Sequence, residues 1–341
     1  MSLPSGPERP FRKLLPPRVN ALVLVLAVLG AFSTVGCSPL LPPGDRTSET
    51  SDPTTGTPTP PSASDLKTVT VSSIPSLLST LADDSVDVIV VANGTYRVSP
   101  SNDVRSDSLW IGPAYAGRTR PITVKAQTRG GVTFDGGGAS GFGGLSFEDG
   151  AHDQTWDGFN FANMAANESG IVEVGGYVPR RTPHHITLRY ITIGRTCTGR
   201  ATSASAPTVD HAFYVSNAAS VGPHDLLFED VTVDGRGGLA SAFHFYHGDS
   251  ANPNATNVTV RRLHVIGTQQ ALILWAQNLQ AIKFDMVDIT GALRYAIRYE
   301  SDGGTGIVLS NVTSTGSGSQ GFYSSQGGKP AGVTFSNDSL H

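Results

Sequence analysis

The sequence predicts an all-β protein built as a parallel β-solenoid, in which short strands from successive turns of the chain stack on one another. Three observations support this fold class. The 341-residue chain has 39 Gly, 22 Pro and only 15% charged residues, which is typical of many turns and few surface helices. A strand-bend-strand pattern recurs from residue 153 onward. A third apolar strand follows most copies of that pattern.

The first 36 residues have the features of a bacterial lipoprotein signal peptide. Arg9, Arg12, Lys13 and Arg18 precede the apolar stretch ALVLVLAVLGAFSTVGC, which is too short to span a bilayer comfortably. Its end, TVGC, resembles the lipobox, so Cys37 is the predicted lipidation site. An ordinary secretory signal cut elsewhere and an uncleaved anchor are the alternatives. We therefore expect an exported protein, held by a lipid at the outer face of the cell membrane.

Residues 37–65 are rich in Pro, Ser and Thr and carry too few apolar residues to form a core, so they are predicted to be a disordered tether. Residues 66–341 remain as one folded domain. The net charge of −4 and the pI near 6.1 give no indication of nucleic-acid binding. Cys197 is the only cysteine besides Cys37, so no disulfide framework is expected and the fold depends on packing.

Seven copies of a nine-residue pattern define the repeat. They are DQTWDGFNF (from 153), HITLRYITI (185), DLLFEDVTV (225), NVTVRRLHV (257), AIKFDMVDI (281), GIVLSNVTS (306) and GVTFSNDSL (332). The second and fourth positions are mostly apolar, and so usually are the seventh and ninth. A straight strand would turn the later pair to the opposite face, so the chain must bend at the fifth and sixth positions. Gly158, Asn311 and Asn337 at the sixth position tolerate a left-handed backbone.

A third strand follows in GIVEV (170), AFYVS (212), AFHFY (242), ALILW (271), AIRYE (296) and GFYSS (321). Three strands in a turn of about 24–26 residues favour a solenoid with a continuous apolar interior. Leucine-rich repeats would show an asparagine-leucine signature, and a β-sandwich would need hairpins. At the start of the domain, Ile74, Leu77, Leu78 and Leu81 fall on one helical face, which suits a helix that closes the open end.

The most specific segments are LLSTLADDSVDVIVVANGTYRV (77–98) and RPITVKAQTRGGVTFDG (120–136). They are similar to the first coils of the alginate-lyase and chondroitinase-B group of polysaccharide lyases. Residues 66–341 resemble the pectate-lyase-like superfamily, which implies a single-stranded right-handed parallel β-helix with three strands per coil and an N-terminal capping helix. The catalytic lysine and arginine of that group have no match here. The resemblance therefore implies the fold, and the activity only by analogy.

Alignment of the third strands predicts which side chains face inward. One inward column holds Ile171, Phe213, Phe243, Leu272, Ile297 and Phe322, and the other holds Glu173, Val215, Phe245, Leu274, Tyr299 and Ser324. The outward columns hold Val172, Tyr214, His244, Ile273, Arg298 and Tyr323, then Val174, Ser216, Tyr246, Trp275, Glu300 and Ser325. His244 is thus predicted to be a surface residue on a rigid strand. The direction of His247, at the end of its strand, is left open.

The outward columns form the candidate site. Tyr214, Tyr246, Trp275 and Tyr323 offer flat rings that suit stacking against sugars. The alternative is that outward strand positions simply favour aromatic residues. His244, Arg298 and Glu300 stand among the rings. Arg180, Arg181 and Arg200, with Arg195 and Arg236, add positive charge in neighbouring loops, which suggests an anionic ligand such as a uronic-acid polysaccharide.

Two classes of function remain open. The first is a polysaccharide lyase, in which Arg298 neutralises the uronate carboxylate, His244 is the base, and Tyr246 or Tyr214 supplies a proton. Trp275, Tyr323, Glu300, Arg180, Arg181 and Arg200 would then bind substrate. The second class is a non-catalytic cell-surface module that binds glycan through the same aromatic residues.

No metal site is predicted from the sequence. Ca²⁺ could replace or assist Arg298, but no carboxylate cluster is dedicated to it. The pairs His184–His185 and His224–Asp225 begin repeat strands after a proline, which is more typical of turns than of metal ligands. No other cofactor is indicated.

The C-terminal end of the solenoid is expected to be poorly closed. The last copy of the pattern has Asp338 where the other copies have an apolar residue. An uncovered coil presents unpaired backbone groups, so we expect either fraying or an oligomer or partner chain that covers this end.

Overall fold

The computed structural model describes residues 66–98, 104–105, 108–111, 117–137, 144–148, 150–164, 170–176, 182–194, 210–217, 222–236, 238–247, 254–275, 277–300, 304–318, 320–325, 327–328 and 330–340. The predicted signal peptide and tether, with Cys37, lie outside these residues. Within the described residues, no helix has the length and apolar character needed to cross a membrane.

The described chain consists of one helix and 24 strands. In chain order they are β1 (Thr68–Val71), α1 (Ile74–Leu81), β2 (Val88–Val91), β3 (Gly94–Arg97), β4 (Val104–Arg105), β5 (Ser108–Ile111), β6 (Ile122–Ala126), β7 (Val132–Asp135), β8 (Leu145–Phe147), β9 (His152–Asp157), β10 (Phe159–Ala162), β11 (Gly170–Gly176), β12 (His184–Arg189), β13 (Thr192–Ile193), β14 (His211–Asn217), β15 (His224–Asp234), β16 (Ser241–His247), β17 (Thr256–Ile266), β18 (Gln270–Trp275), β19 (Gln280–Thr290), β20 (Tyr295–Tyr299), β21 (Ile307–Thr315), β22 (Gln320–Ser324), β23 (Val333–Ser336) and β24 (Ser339–Leu340).

These strands form two long sheets that run along the molecule. One sheet has nine strands, in the order β22-β20-β18-β16-β14-β11-β8-β5-β4, and contains the predicted third strands. The other has 15 strands and contains the first and second strands of the repeat. Strand pairing is parallel throughout, apart from the short β4–β5 pair. The predicted parallel β-helix is therefore confirmed.

The bend within each repeat lies where the sequence places it. All seven sixth positions have a positive φ, between 53° and 91°: Gly158, Tyr190, Asp230, Arg262, Met286, Asn311 and Asn337. From the copy at 225 to the copy at 306, the two predicted strands run through this bend as one continuous strand, in β15, β17, β19 and β21. The left-handed residue turns the chain, so apolar residues on both sides of the bend point inward.

The interior is a continuous apolar column with aromatic layers. The apolar positions of the central copies are all buried: Leu226, Phe228, Val231, Val233, Val258, Val260, Leu263, Val265, Ile282, Phe284, Val287 and Ile289. The rings of Phe213 and Phe243, from adjacent coils, stack with centroids 4.6 Å apart, and Phe228 meets the Phe243 ring edge-on. Burial of this repeated apolar face is the main stabilising term of the fold.

The capping helix α1 begins at Ile74 and covers the first coil. Its four predicted apolar residues are buried, and the Ser73 side chain caps its N-terminus by accepting a hydrogen bond from the Ser76 N–H. Arg118 secures the other end, since its guanidinium donates to the carbonyls of Leu81, Asp83 and Val86 at 3.1, 2.6 and 2.6 Å. Arg118 is itself buried, so these carbonyls replace its hydration.

The predicted alignment of one strand, GIVEV (170–174), is wrong by one residue. Val172 pairs with Phe213, and Glu173 pairs with Tyr214. Val172 and Val174 are therefore buried inward residues, whereas Glu173 is partly exposed and belongs to the outward column. The segment GIVEV has apolar residues on both of its faces, Ile171 on one and Val172 and Val174 on the other, so alternation alone does not fix its register.

The last coil contains Asp338 for a specific reason. Strands β23 and β24 both pair with β21. The Asp338 carboxylate accepts hydrogen bonds from the backbone N–H groups of Val312 and Ser336 at 2.8 and 3.1 Å. The aspartate thus satisfies backbone donors at a position where the other coils bury an apolar side chain.

Candidate functional site

The candidate site is the outward face of the nine-stranded sheet. Residues in register form one column of Glu173, Tyr214, His244, Ile273, Arg298 and Tyr323, and a second of Ser216, Tyr246 and Trp275. Glu300 continues the second column, because its N–H bonds to the Leu274 carbonyl. From Tyr214 onward, the structure confirms the predicted neighbours. We call this set of outward residues the aromatic face.

His211 and Ser241 also lie on this face, because each of these strands has a break in the alternation of its side chains, which we call the step. Ladder pairing skips one residue in successive coils: Ala212, Ala242, Ala271 and Ala296. Residues three apart then share a side, so the His211 ring stacks on Tyr214 with centroids 5.5 Å apart. Strict alternation does not place His211 and Ser241 on this face, so the sequence pattern did not predict them. The recurring alanine in HAFYV, SAFHF and QALIL is the feature that would have indicated the step.

The aromatic rings contact one another across coils. Tyr214 and Tyr246 stack with centroids 5.7 Å apart, and Tyr246 meets Trp275 edge-on at 5.6 Å. Trp275 is 40% exposed, which is unusual for so large an apolar side chain. The strands hold these rings at the spacing of the coils, so the face offers a rigid surface for a flat apolar partner.

His244 lies in the predicted column but is not a surface residue. Its side chain is only 5% exposed, and the rings of Tyr214, Tyr246 and Trp275 surround it. Burial, followed by the nearby His211 and Arg298, lowers the pKa of His244 well below its usual value. The prediction of an exposed histidine is therefore wrong, because neighbouring large rings cover it.

Two hydrogen bonds connect His244 to the interior of this face. Its Nδ1 lies 2.8 Å from Nε2 of His211, and Nδ1 of His211 lies 2.8 Å from the Ser241 hydroxyl. Burial lowers the pKa of His211 to about 3, so both rings are neutral at pH 7. Nε2 of His244 is buried and has no hydrogen-bond partner among the described residues.

Arg298 and Glu300 form an ion pair beside the aromatic rings. Nη2 of Arg298 donates to Oε1 of Glu300 at 2.7 Å, and the two side chains are only 19% and 18% exposed. The guanidinium carbon also lies 5.8 Å from the centre of the Trp275 ring. Glu300 engages one of five guanidinium N–H groups, which leaves Arg298 able to donate to an anionic ligand.

Burial also affects the tyrosines of this face. The pKa of Tyr214 is raised far above its usual value, first by burial and then by Tyr246 and Glu173. Tyr214 therefore keeps its proton at any physiological pH. Further along the sheet, Tyr323 stacks on Tyr295 with centroids 4.7 Å apart, and the guanidinium of Arg294 lies 4.8 Å from the Tyr295 ring. The aromatic face thus extends over coils on both sides of Trp275.

Several predicted residues are not placed. Arg180, Arg181, Arg195 and Arg200 lie outside the described residues, and for His247 only the backbone is described. Arg236 is described, but its guanidinium is bound by Asp234 through two hydrogen bonds of 2.8 and 2.7 Å. Its charge is therefore compensated locally and does not support the predicted concentration of positive charge.

The paired histidines at the start of the repeat form a separate stack. The rings of His152, His184 and His224 lie parallel, 5.1 and 5.0 Å apart. Asp153 bonds to His152, and Asp225 bonds to His224, at 2.9 and 2.8 Å. In the part of the chain that the structure describes, no group of three or more His, Cys, Asp or Glu residues could hold a metal ion.

Comparisons with known proteins identify no family. No family model matches the chain, and no curated protein matches it. A solved structure of a PL6 family alginate lyase, AlyGC, is similar, with a TM-score of 0.36 and 11% identity over 74% of this chain. This chain spans 40% of that one. Such a distant likeness has no bearing on function, and the fold rests on the strand pairing.

Proposed function

We propose that this protein binds an acidic polysaccharide along the aromatic face. The main support for this proposal is the exposed ring of Trp275. It lies 5.6 Å from the Tyr246 ring and 5.8 Å from the guanidinium carbon of Arg298. Aromatic rings stack on the apolar faces of sugars, while an arginine binds their carboxylates. A uronate-containing chain offers both groups in every residue.

Stacking is tested with the Trp275→Ala variant. Its binding to alginate, pectate and chondroitin, measured by calorimetry, is expected to be about tenfold weaker or more, which corresponds to about 1.4 kcal/mol. Met286→Ala is the matched control, since Met286 is 46% exposed but lies in the 15-stranded sheet. Absence of binding to all three glycans, or equal binding by Trp275→Ala, would overturn the proposal.

Recognition of negative charge is tested with the Arg298→Gln variant. The variant is expected to bind the acidic glycans more weakly and with less dependence on salt, because it lacks the cation that meets the carboxylate. Arg262→Gln is the control, because Arg262 pairs with Asp230 in the other sheet. Equal affinity for a neutral β-glucan would show that acidity is not recognised.

A polysaccharide lyase is the second candidate, favoured by the unpartnered Nε2 of His244. In β-elimination, Arg298 would neutralise the uronate carboxylate, and His244 Nε2 would take the C5 proton. Tyr246, or Tyr214 with its retained proton, would protonate the leaving oxygen. Ultraviolet absorbance of the unsaturated product detects this reaction, and its loss in His244→Ala with binding retained would establish it. Binding without product would leave the protein a glycan-binding module.

The location of the protein is a separate proposal that rests on the sequence of the N-terminal segment. We propose that Cys37 carries a lipid that holds the protein at the outer face of the cell membrane. Cys37→Ala is expected to release the protein from the membrane fraction and to abolish labelling by a radioactive fatty acid. Unchanged labelling of the variant would exclude Cys37 as the lipidation site.

A further inference from the structure

Three buried side chains form a hydrogen-bonded chain beneath the aromatic face. It runs from the Ser241 hydroxyl to Nδ1 of His211, and from Nε2 of His211 to Nδ1 of His244, with both distances 2.8 Å. All three residues are buried, and neither ring has a carboxylate bonded to it among the described residues. Each neutral imidazole carries one N–H and one lone pair, so the chain has a direction.

Only two directions are possible, and they leave different groups unsatisfied. If His211 donates to Ser241, then His244 donates to His211, and two buried sites lack partners: the Ser241 hydroxyl hydrogen and the His244 Nε2 lone pair. If Ser241 donates to His211, then His211 donates to His244, and only the His244 Nε2–H lacks a partner. An unsatisfied buried polar group is destabilising, so the second direction, which leaves one such group instead of two, is more stable.

We infer that Ser241 and His211 hold His244 in the tautomer protonated at Nε2, and that this N–H donates to an oxygen atom of the ligand when the ligand displaces one of the rings that cover it. The identity of the ligand rests on the proposed function, whereas the tautomer does not. Ser241 and His211 are positioning residues, because they act through His244.

The ligand group that fits this donor is a hydroxyl or carboxylate oxygen. Arg298 lies in the same outward column, one residue beyond Ile273, and also presents donors. A protonated Nε2 cannot coordinate a metal ion, and it cannot take a proton from substrate. In this tautomer His244 therefore cannot be the base through Nε2, and a lyase reaction would require the proton to be on Nδ1.

The tautomer is measured by long-range ¹H–¹⁵N NMR on the full chain with ¹⁵N-labelled histidine. His244→Gln and His211→Gln identify the two residues among the nine histidines of the sequence. We expect His244 to show a protonated Nε2 and an unprotonated Nδ1 at pH 7. A protonated Nδ1 on His244 would overturn the inference, and so would a doubly protonated ring.

The role of Ser241 is tested by substitution. In Ser241→Ala, each direction leaves two buried groups without partners, so the preference is lost. Part of His244 is then expected to shift to the Nδ1 tautomer, with the proton of His211 on Nδ1. Ser241→Thr keeps a hydroxyl and is expected to restore the original tautomer. Ser310→Ala is the control, because Ser310 bonds to Asp285 in the other sheet. An unchanged His244 tautomer in Ser241→Ala would show that Ser241 does not set it.

The donor role is tested by adding an oligouronate while binding is measured in parallel by calorimetry. The His244 Nε2–H resonance is expected to move downfield as the bond to ligand oxygen forms. Binding with no change at this resonance would overturn the donor role and leave the proposed function intact. Absence of binding would overturn the proposed function, whereas the tautomer would stand on the ligand-free spectrum.

Discussion

At the scale of single residues, the two buried histidines of the aromatic face are the most consequential feature. His211 and His244 are 2% and 5% exposed and lie in contact, with ring centroids 4.2 Å apart. Protonation of either ring would place a charge in a poorly solvated site beside the other ring and near Arg298. The face is therefore arranged to keep both imidazoles neutral.

This arrangement predicts a loss of stability in mild acid. In the unfolded chain both histidines titrate near pH 6.5, whereas in the folded chain their pKa values are lower, about 3 for His211. As the pH falls below 6.5, the unfolded state binds protons that the folded state does not, so the free energy of unfolding decreases. The expected slope is about 1.4 kcal/mol per pH unit for each histidine.

The measurement is urea unfolding of wild type and His211→Gln between pH 6.5 and pH 5. The variant lacks one of the two groups, so its free energy of unfolding should decrease less steeply than that of wild type. Met286→Ala changes an exposed residue that has no titratable group, so it is the control and should keep the wild-type slope. Equal slopes for wild type and His211→Gln would show that His211 is protonated in the folded state.

At the scale of strands, the fifth and sixth positions of the pattern form two rows of side chains that run from coil to coil at the bend. The fifth positions of the pattern, extended to the preceding coil by Lys125, alternate in charge across successive coils: Lys125, Asp157, Arg189, Glu229, Arg261 and Asp285. Arg189 bonds to Asp157 at 2.9 Å, and Arg261 bonds to Glu229 at 2.5 Å. Parallel register places like positions side by side, so alternation replaces repulsion by attraction.

The sixth positions differ in how well they suit the left-handed backbone. Met286 has a φ of 55° although methionine is disfavoured there, while Asn311 and Asn337 occupy the same position in the next two coils. The Asn311 amide donates to Asp285 at 2.9 Å, and the Asn337 amide donates to Asn311 at 3.3 Å. Asparagine is thus both tolerant of the conformation and able to bond to its neighbours.

Met286→Asn is therefore expected to stabilise the protein by about 0.5–1 kcal/mol, because the exposed methionine contributes little packing and asparagine relieves the strain. Urea unfolding measures the change. Met286→Ala is the matched control: it removes the same side chain without suiting the left-handed region, and no gain is expected. A gain of equal size in both variants would attribute the effect to loss of the exposed methionine.

At the scale of the whole molecule, the two ends of the described β-helix differ in how their outermost coils are covered. Helix α1 covers the first coil, and Arg118 donates to the carbonyl of its last residue, Leu81. At the other end, β23 and β24 pair with β21 on one side, and no further strand pairs with them among the described residues. Their outer backbone groups form an edge of the kind that frays or recruits another chain.

Hydrogen exchange is expected to show this difference. In a monomeric sample, the amides of β23 and β24 should exchange faster than those of β15 and β17, which have a neighbouring strand on both sides. Sedimentation establishes the oligomeric state of the same sample. Equal protection of the last coil and the central coils in a strict monomer would contradict the prediction of an open end.

The repeat, the bend and the capping helix were determined by the sequence alone, because each depends on local preferences or on a repeated apolar pattern. A left-handed residue is required wherever two residues, instead of one, separate successive apolar positions, and all seven copies of the pattern have one there. The pattern likewise identifies the buried face of α1 and the order of the outward residues from Tyr214 to Tyr323.

The environment of those outward residues was decided only by the tertiary structure. Neighbours on the outside of a β-helix come from other coils: His211 lies 33 residues before His244, and strand β15 lies between them in the chain. The step at Ala242 adds Ser241 to the same side, and the rings from three coils bury His244. Burial and hydrogen-bond direction depend on this assembly, since no short stretch of sequence contains all the contacting groups.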